Sequence, residues 1–268
     1  MVVNGAQIGV PCPSSSNSCS NAFGCPSGVS PDFLIKRHDT KPPFKVAVED
    51  CEGALDLSED NLVLEVNMWA NARLKAAITV TDTYFALKGN VGFEQAMVGD
   101  IIVMDRVRRP EHMLVTGFDE QNCLIQVQRA YNGTTASVWK RGTALRIFRI
   151  MDGSAEIEII RGDIVQEDGT TLQDQLIESR LVYEWTANST CLPGCYWLEF
   201  KLLKMTAESL SMLSSTGASI TPSFTPSTLT DADFGCILGD GVEWARRFPA
   251  CGEGFLIQVS TSPTTELG

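Results

Sequence analysis

Cysteine is the residue type with the greatest chemical potential in this chain. Nine cysteines occur among 268 residues, and an odd number leaves at least one thiol free or paired with another chain. Two of them, Cys191 and Cys195, flank a Leu-Pro-Gly turn. The others lie near the N-terminus or are scattered along the chain: Cys12, Cys19, Cys25, Cys51, Cys123, Cys236 and Cys251.

Metal binding is one function that cysteines could serve. A zinc or iron–sulfur site needs about four ligands, usually in pairs two to four residues apart. Cys191 and Cys195 fit that spacing once, whereas Cys12, Cys19 and Cys25 are too widely spaced to form a signature. The sequence therefore predicts no metal site, and Cys191 and Cys195 are the candidates should one exist. Another interpretation is that the thiols serve as small hydrophobic side chains.

Hydrolytic chemistry has little support in the sequence. The two histidines, His38 and His112, lie in no zinc-protease motif and beside no Ser or Cys nucleophile motif. A glycosidase needs two carboxylates about 5–9.5 Å apart, but solubilising surface charge is the simpler interpretation of the 33 Asp and Glu residues. We therefore predict that the chain is not an enzyme and holds no cofactor.

Charge and hydropathy exclude two classes of partner. The net charge of −12 opposes binding to nucleic acid, so the basic runs Arg106–Arg109 and Arg246–Arg247 are interpreted as protein contacts or solvated strand edges. The sequence contains no run of about 18 apolar residues, so we expect no membrane insertion. Its N-terminus lacks the pattern of a secretory signal, which favours synthesis and retention in the cytoplasm until lysis.

Alternating apolar residues predict strands on both sides of a central block. The pattern occurs at Phe44–Val48 and Leu62–Met68, and it returns at Ala155–Ile160, Leu181–Trp185 and Tyr196–Met205. Between these groups, four short apolar runs are separated by turn residues, which is typical of a small barrel. These runs are Ile101–Met104, Met113–Thr116, Leu124–Gln128 and Ala144–Phe148.

Both ends of the chain have compositions that are typical of extended arms. Residues 1–38 combine cysteines with Ser, Asn, Pro and Gly, and residues 209–230 are rich in Ser, Thr and Pro. Such segments bury little apolar surface of their own. We therefore expect them to be ordered by contact with other subunits.

The strands outside the central block carry a family resemblance. Asp39-Thr40-Lys41-Pro42-Pro43-Phe44, followed by Gly53 and Leu55-Asp56-Leu57, resembles the opening of the N-terminal domain of phage baseplate upper proteins. The sequence from Val182-Tyr183-Glu184-Trp185 through Pro193-Gly194 to Tyr196–Phe200 resembles the final hairpin of that domain. Pro-Gly favours a tight turn, and the flanking aromatic residues suit a pleated surface.

The central block has a resemblance of its own. Met113–Thr116, Leu124–Gln128 and then Arg129-Ala130-Tyr131-Asn132-Gly133-Thr134-Thr135-Ala136, with Gly142, resemble a small β-module of phage tail and fibre proteins. Asn132-Gly133 suits the positive backbone dihedrals of a tight turn. The two resemblances together cover about residues 39–205.

These resemblances imply a mainly β fold: an immunoglobulin-like β-sandwich with an inserted small β-barrel and extended terminal arms. We expect an N-terminal arm at residues 1–38 and a discontinuous sandwich formed by residues 39–88 and 150–205. The inserted barrel is expected at residues 89–149, and a Ser/Thr/Pro-rich linker with a C-terminal segment at residues 206–268.

The function that the resemblance implies is structural. We expect a virion protein of a tailed phage, a tail, baseplate or fibre-attachment adaptor whose partners are other copies of itself and neighbouring tail proteins. The alternatives are a glycan-binding receptor module, in which Trp139 or Trp244 stacks on sugars, and a glycan-cleaving tail enzyme. Virions reach oxidising surroundings after lysis, so a disulfide or intersubunit cross-link is also expected. Its candidates are Cys12, Cys19, Cys25, Cys191, Cys195, Cys236 and Cys251.

Overall fold

A computed structural model describes residues 30–50, 53–88, 91–104, 110–207, 242–249 and 254–260. Within these ranges the protein is mainly β, with one short helix, which confirms the expected fold class at that level. The elements are β1 (Phe33–Lys36), β2 (Phe44–Ala47), β3 (Glu49–Asp50), β4 (Gly53–Ala54), β5 (Leu62–Arg73), β6 (Tyr84–Phe85), α1 (Val91–Glu94), β7 (Ile101–Met104), β8 (Glu111–Asp119), β9 (Leu124–Tyr131), β10 (Ala144–Arg149), β11 (Ala155–Val165), β12 (Thr171–Tyr183), β13 (Gly194–Met205), β14 (Val242–Phe248) and β15 (Phe255–Ser260).

The chain divides into two compact units. The first, the split unit, includes the described residues 30–50, 53–69, 150–207, 242–249 and 254–260. The second, the central unit, lies between residues 70 and 149, of which 70–88, 91–104 and 110–149 are described. Of the expected N-terminal arm, residues 1–38, residues 33–36 form β1, which pairs with β15 of the same chain. Residues 1–29 and most of the C-terminal segment lie outside the described residues, so the expectations for them stay predictions.

Two larger sheets and the short two-stranded sheet β3–β4 form the split unit. In one, β1 pairs with β15, β15 and β14 pair with β13, and β13 pairs with β5; in the other the strand order is β11-β12-β2. Phe44 of β2 stacks on Phe200 of β13 with ring centroids 5.8 Å apart, and it meets Phe255 of β15 edge-on at 5.4 Å. These contacts pack one sheet on the other, as in a sandwich. Immunoglobulin-like topology stays a prediction.

The central unit is a single run of paired strands in the order β10-β7-β8-β9-β6, with the end of β5 beside β10. The four apolar runs that predicted strands in this block lie in β7, β8, β9 and β10. Leu74, which follows β5, pairs with Leu87, which follows β6. This bridge connects the segment after β6 with the segment after β5. The inserted barrel stays a prediction.

The core of the central unit begins earlier in the sequence than residue 89, where the inserted module was expected to start. Leu74, Ile78, Phe85 and Leu87 are at most 4% exposed and pack in the same apolar cluster as residues of β7 to β10. The division consequently falls after Trp69. The sequence pattern missed this boundary because β5 is one continuous strand whose last residues serve the other core.

Candidate functional site

A buried ion pair lies at the centre of the central unit. The guanidinium of Arg129 on β9 donates from Nε to Oε1 of Glu111 on β8 at 2.6 Å and from Nη2 to Oε2 at 2.9 Å. The side chains are 6% and 0% exposed respectively. Glu111 also accepts from the Trp139 indole at 2.6 Å and from the Ser137 backbone N–H at 3.0 Å. These donors stabilise the ionised form of the buried carboxylate.

The protonation of Glu111 follows from these contacts. Burial alone raises the pKa of a carboxyl group, but the hydrogen bonds from Arg129, Trp139 and Ser137 and the charge of Arg129 outweigh it and lower the pKa of Glu111. Glu111 is therefore ionised and held in place. A catalytic acid needs a pKa that is raised toward the working pH, so this carboxylate is suited to structure instead.

Arg129 also fixes two surface loops. Its Nη1 donates to the carbonyl oxygens of Thr79 at 2.6 Å and Asp82 at 3.0 Å, and its Nη2 donates to the carbonyl oxygen of Ser137 at 2.8 Å. The two loops also meet through mutual backbone hydrogen bonds between Ile78 and Trp139, of 2.9 and 3.0 Å. One buried guanidinium thus determines the position of residues 79–82 and 137–139.

Three exposed apolar side chains lie on or beside these loops, and we call them the loop patch. They are Val80 at 47% exposure, Tyr84 at 47% and Val138 at 55%. Exposed apolar groups on a rigid scaffold are a frequent feature of binding surfaces.

Trp139 does not belong to that surface, so the hypothesis that it stacks on sugars is wrong. Its side chain is 1% exposed, and its indole N–H is directed at Glu111. The side chain of Trp244 lies outside the described residues. Tyr84 is the exposed aromatic residue of the loop patch, and the sequence did not single it out.

A second candidate surface is the end of the hairpin formed by β11 and β12, which we call the hairpin tip (residues 163–174). Pairing with β2 extends along β12 from Tyr183 only to Arg180, with one further bond from the Val48 N–H to Ser179. All residues of the tip are exposed. At about 3.3 Å per residue, it extends roughly 15 Å along the hairpin.

The hairpin tip combines apolar and acidic side chains. Ile164 and Leu172 are directly paired across the strands at 43% and 38% exposure, and Val165 is 69% exposed. Four carboxylates accompany them, on Asp163, Glu167, Asp168 and Asp174. The turn is stabilised from within, since Asp168 accepts a hydrogen bond of 2.8 Å from the Thr170 N–H and Gly169 has a φ of +83°.

The histidines form no catalytic arrangement in the part of the chain that the structure describes. His112 is buried opposite Val103, and neither ring nitrogen has a hydrogen-bond partner among those residues. Burial lowers the pKa of His112, so the ring is neutral. His38 is an exposed turn residue of the split unit whose Nδ1 lies 3.4 Å from the Ala187 carbonyl oxygen.

The candidate metal and disulfide residues are only partly placed. Cys191 is a completely buried thiol and Cys195 a half-buried residue of β13, on either side of the Leu192–Gly194 turn. Among the described residues, no three His, Cys, Asp or Glu side chains form a group that could hold a metal ion. Cys12, Cys19, Cys25, Cys236 and Cys251 lie outside those residues.

In the described ranges, no helix has the length and apolar character needed to cross a membrane. The chain matches no model of a known protein family, and no curated protein is significantly similar to it in sequence.

The sequence carried signals for features that were missed. Asp168-Gly169 between two apolar-containing segments is a strong hairpin signal, and it could have located the tip. Arg129 follows directly on an alternating run, Leu124–Gln128, and this position indicates a charge beside the core. No local pattern identifies Glu111 as its partner, because the pair is formed by the β8–β9 register.

Proposed function

We propose that this protein is a structural component of a tailed-phage virion, an adaptor of the tail, baseplate or fibre attachment that acts through contacts with neighbouring subunits. The observation that carries the proposal is the hairpin tip, where Ile164, Val165 and Leu172 are exposed on two strands that no third strand of the described residues joins. An enzyme would keep reactive groups in a cleft. A projecting apolar hairpin is suited to insertion against another protein.

Two physical terms favour occupation of the hairpin tip. Removing apolar surface from water contributes about 25 cal/mol per Å², and β11 is an edge strand of its sheet within the described residues, with backbone groups available for strand addition. The carboxylates of the tip keep an unassembled subunit soluble. The tip therefore serves an assembly that forms only when a matching surface is present.

The test is a double variant, Ile164→Ser with Val165→Ser, compared with Val98→Ser with Ile150→Ser as a control for the loss of exposed apolar side chains elsewhere. Sedimentation velocity over a range of concentrations should show weaker self-association for the tip variant alone. Immunogold labelling of particles from cells that carry the gene should place the protein on tails. Equal association of the two variants, together with particles free of label, would refute the proposal.

We also propose that disulfides or intersubunit cross-links form after release from the cell, with Cys12, Cys19 and Cys25 of the N-terminal arm as the leading candidates. A cross-link restricts a segment that has little core of its own. Electrophoresis of particles with and without reductant is the test. Identical mobility, with all thiols alkylated before reduction, would exclude such bonds.

A second candidate function is glycan binding by the loop patch. It is favoured by the exposed ring of Tyr84, since aromatic rings with a polar tip are effective contact residues. A glycan array should then show binding by the wild-type protein. Tyr84→Ala should abolish this binding, whereas Tyr131→Ala, at a half-buried tyrosine of β9, should not change it. Absence of any signal would leave the adaptor role as the sole proposal.

We propose no catalytic step for the chain. Turnover of a host-envelope glycan that disappears on replacing one pair of carboxylates would overturn this view.

A further inference from the structure

An unusual concentration of positive charge lies at one edge of the central unit. Residues 70–149 contain eleven Lys and Arg against seven Asp and Glu, although the whole chain has a net charge of −12. Five of those that the structure describes are exposed and occupy three adjacent segments of backbone. We call this set the basic patch: Arg73, Lys75, Lys88, Lys140 and Arg141.

Backbone pairing brings the members of the basic patch together. Leu74 pairs with Leu87 in antiparallel fashion, so Arg73 lies opposite Lys88, whose N–H donates to the Arg73 carbonyl oxygen at 2.8 Å. On its other side, Leu74 exchanges backbone hydrogen bonds with Gly142 and Thr143. Arg73 Nη1 donates to the Gly142 carbonyl oxygen at 3.2 Å, next to Arg141.

This arrangement costs stability in the isolated chain. Like charges directly across two strands repel each other, and none of the five cations forms an ion pair with any residue that the structure describes. Elsewhere in the described chain, the exposed cations Lys41 and Lys45 have carboxylates within 4 Å. An uncompensated cluster of this kind fits an anionic partner.

We infer that the basic patch binds the hairpin tip of a second copy of this chain. The tip has the complementary character, since Asp163, Glu167, Asp168 and Asp174 are exposed. Arg161, a cation next to the tip in sequence, is already paired with Asp56 at 3.6 Å and with Asp174 at 4.0 Å. The inference rests on the proposed adaptor function and names the partner of the tip.

The contact joins two different surfaces, so it is heterologous. Each copy offers one basic patch and one hairpin tip, and successive copies can therefore close into a ring, or continue as a filament if the rotation does not close. Charge guides the encounter and the apolar side chains of the tip are buried afterwards. Association should accordingly weaken as salt is raised, because the screening length falls to about 10 Å at 0.1 M ionic strength.

Charge exchange between two chains tests the inference directly. One variant reverses the patch, Arg73→Glu with Lys88→Glu, and the other reverses the tip, Asp163→Lys with Asp174→Lys. Each alone should sediment as a monomer at concentrations where the wild-type protein associates. An equimolar mixture should regain association, because every patch again faces a tip of opposite charge.

Three further samples make the outcome decisive. Lys36→Glu with Lys41→Glu changes the net charge equally outside the patch and should associate as the wild type does. Arg73→Gln with Lys88→Gln serves if charge reversal unfolds the central unit, as thermal unfolding would reveal. Polyphosphate is included as a probe for a polymeric anion.

Each of three results would overturn the inference. The wild-type protein stays monomeric at every concentration, the charge-reversed variants associate normally, or their equimolar mixture fails to regain association. Loss of polyphosphate binding by the patch variant with unchanged self-association would overturn it too and would assign the patch to a polyanion. Association abolished by Ile164→Ser with Val165→Ser yet indifferent to charge reversal would leave the adaptor function standing without this contact.

Discussion

Arg129 and Glu111 form a two-point ion pair inside the central unit, with N–O distances of 2.6 and 2.9 Å between side chains that are almost completely buried. The pair connects neighbouring strands β8 and β9 and anchors the loops that carry Val80 and Val138. Removing either partner would leave a buried charge without compensation, which is far more costly than losing an exposed ion pair.

The first prediction is that Glu111→Gln destabilises the protein by about 3 kcal/mol or more. Glu184→Gln is the matched control, since it removes the exposed ion pair with Lys41, at 3.5 Å, and should cost less than about 1 kcal/mol. Urea unfolding followed by tryptophan fluorescence measures both. Similar losses for the two variants would show that the buried pair has no special structural role.

The same pair predicts the acid limit of this stabilisation. The folded pKa of Glu111 lies below its unfolded value, so its contribution is complete above the unfolded pKa of about 4.3 and is lost as the pH falls through the folded pKa. The difference in unfolding free energy between wild type and Glu111→Gln should therefore be constant from pH 7 to 5 and shrink below about pH 4. A difference independent of pH down to 3 would contradict this.

Strand positions in the central unit were predictable because side-chain alternation is a local signal. The runs around Ile102, Val115 and Ile147 gave the strand locations directly. The pairing of Leu74 with Leu87 was not predictable, since no local pattern marks these two residues as partners. The prediction that Trp139 is exposed was wrong for a related reason. Its indole N–H can be buried because it donates to Glu111, and the sequence does not show this partner. The basic patch likewise arises from three segments distant in sequence.

His112 predicts a second, separate dependence on pH. Burial lowers its pKa in the folded state, so between the unfolded pKa of about 6.5 and the lower folded value the unfolded chain binds the additional proton. Stability should fall as the pH drops below about 6.5. Between pH 7.5 and 5.5, the His112→Leu variant should lose less stability than the wild type, as measured by thermal unfolding. If the stability of the two proteins fell in parallel with pH, the ring would not be a neutral buried group.

Gly153 and Gly162 form a matched pair for a packing test. A Cβ on Gly153 would collide with the Glu184 carbonyl oxygen and lie 2.6 Å from the Tyr183 hydroxyl, which accepts the Gly153 N–H. A Cβ on Gly162 would lie 2.7 Å from Cδ1 of Ile177, the end of a side chain that is 51% exposed. Gly153→Ala should cost about 2–3 kcal/mol and Gly162→Ala less than about 1 kcal/mol. Urea midpoints in the reverse order would mean that the backbone at Glu184 gives way more easily than an exposed side chain.

The last prediction concerns the independence of the split unit. Leu74 and Thr143 lie near the two ends of the central unit and are joined by a backbone hydrogen bond of 3.0 Å, so a four-residue Gly-Ser linker can replace residues 75–142 without stretching the chain. The aromatic cluster around Phe44 and Phe200 belongs entirely to the split unit and should remain packed. Closing a short loop instead of a long one also lowers the entropy cost of folding slightly.

We expect cooperative thermal unfolding of the shortened protein and near-ultraviolet circular dichroism from its packed aromatic residues. A control that keeps the full length but carries Glu111→Gln should retain the same aromatic signal from the split unit. Loss of cooperative unfolding in the shortened protein would show that the split unit needs the central unit in order to fold.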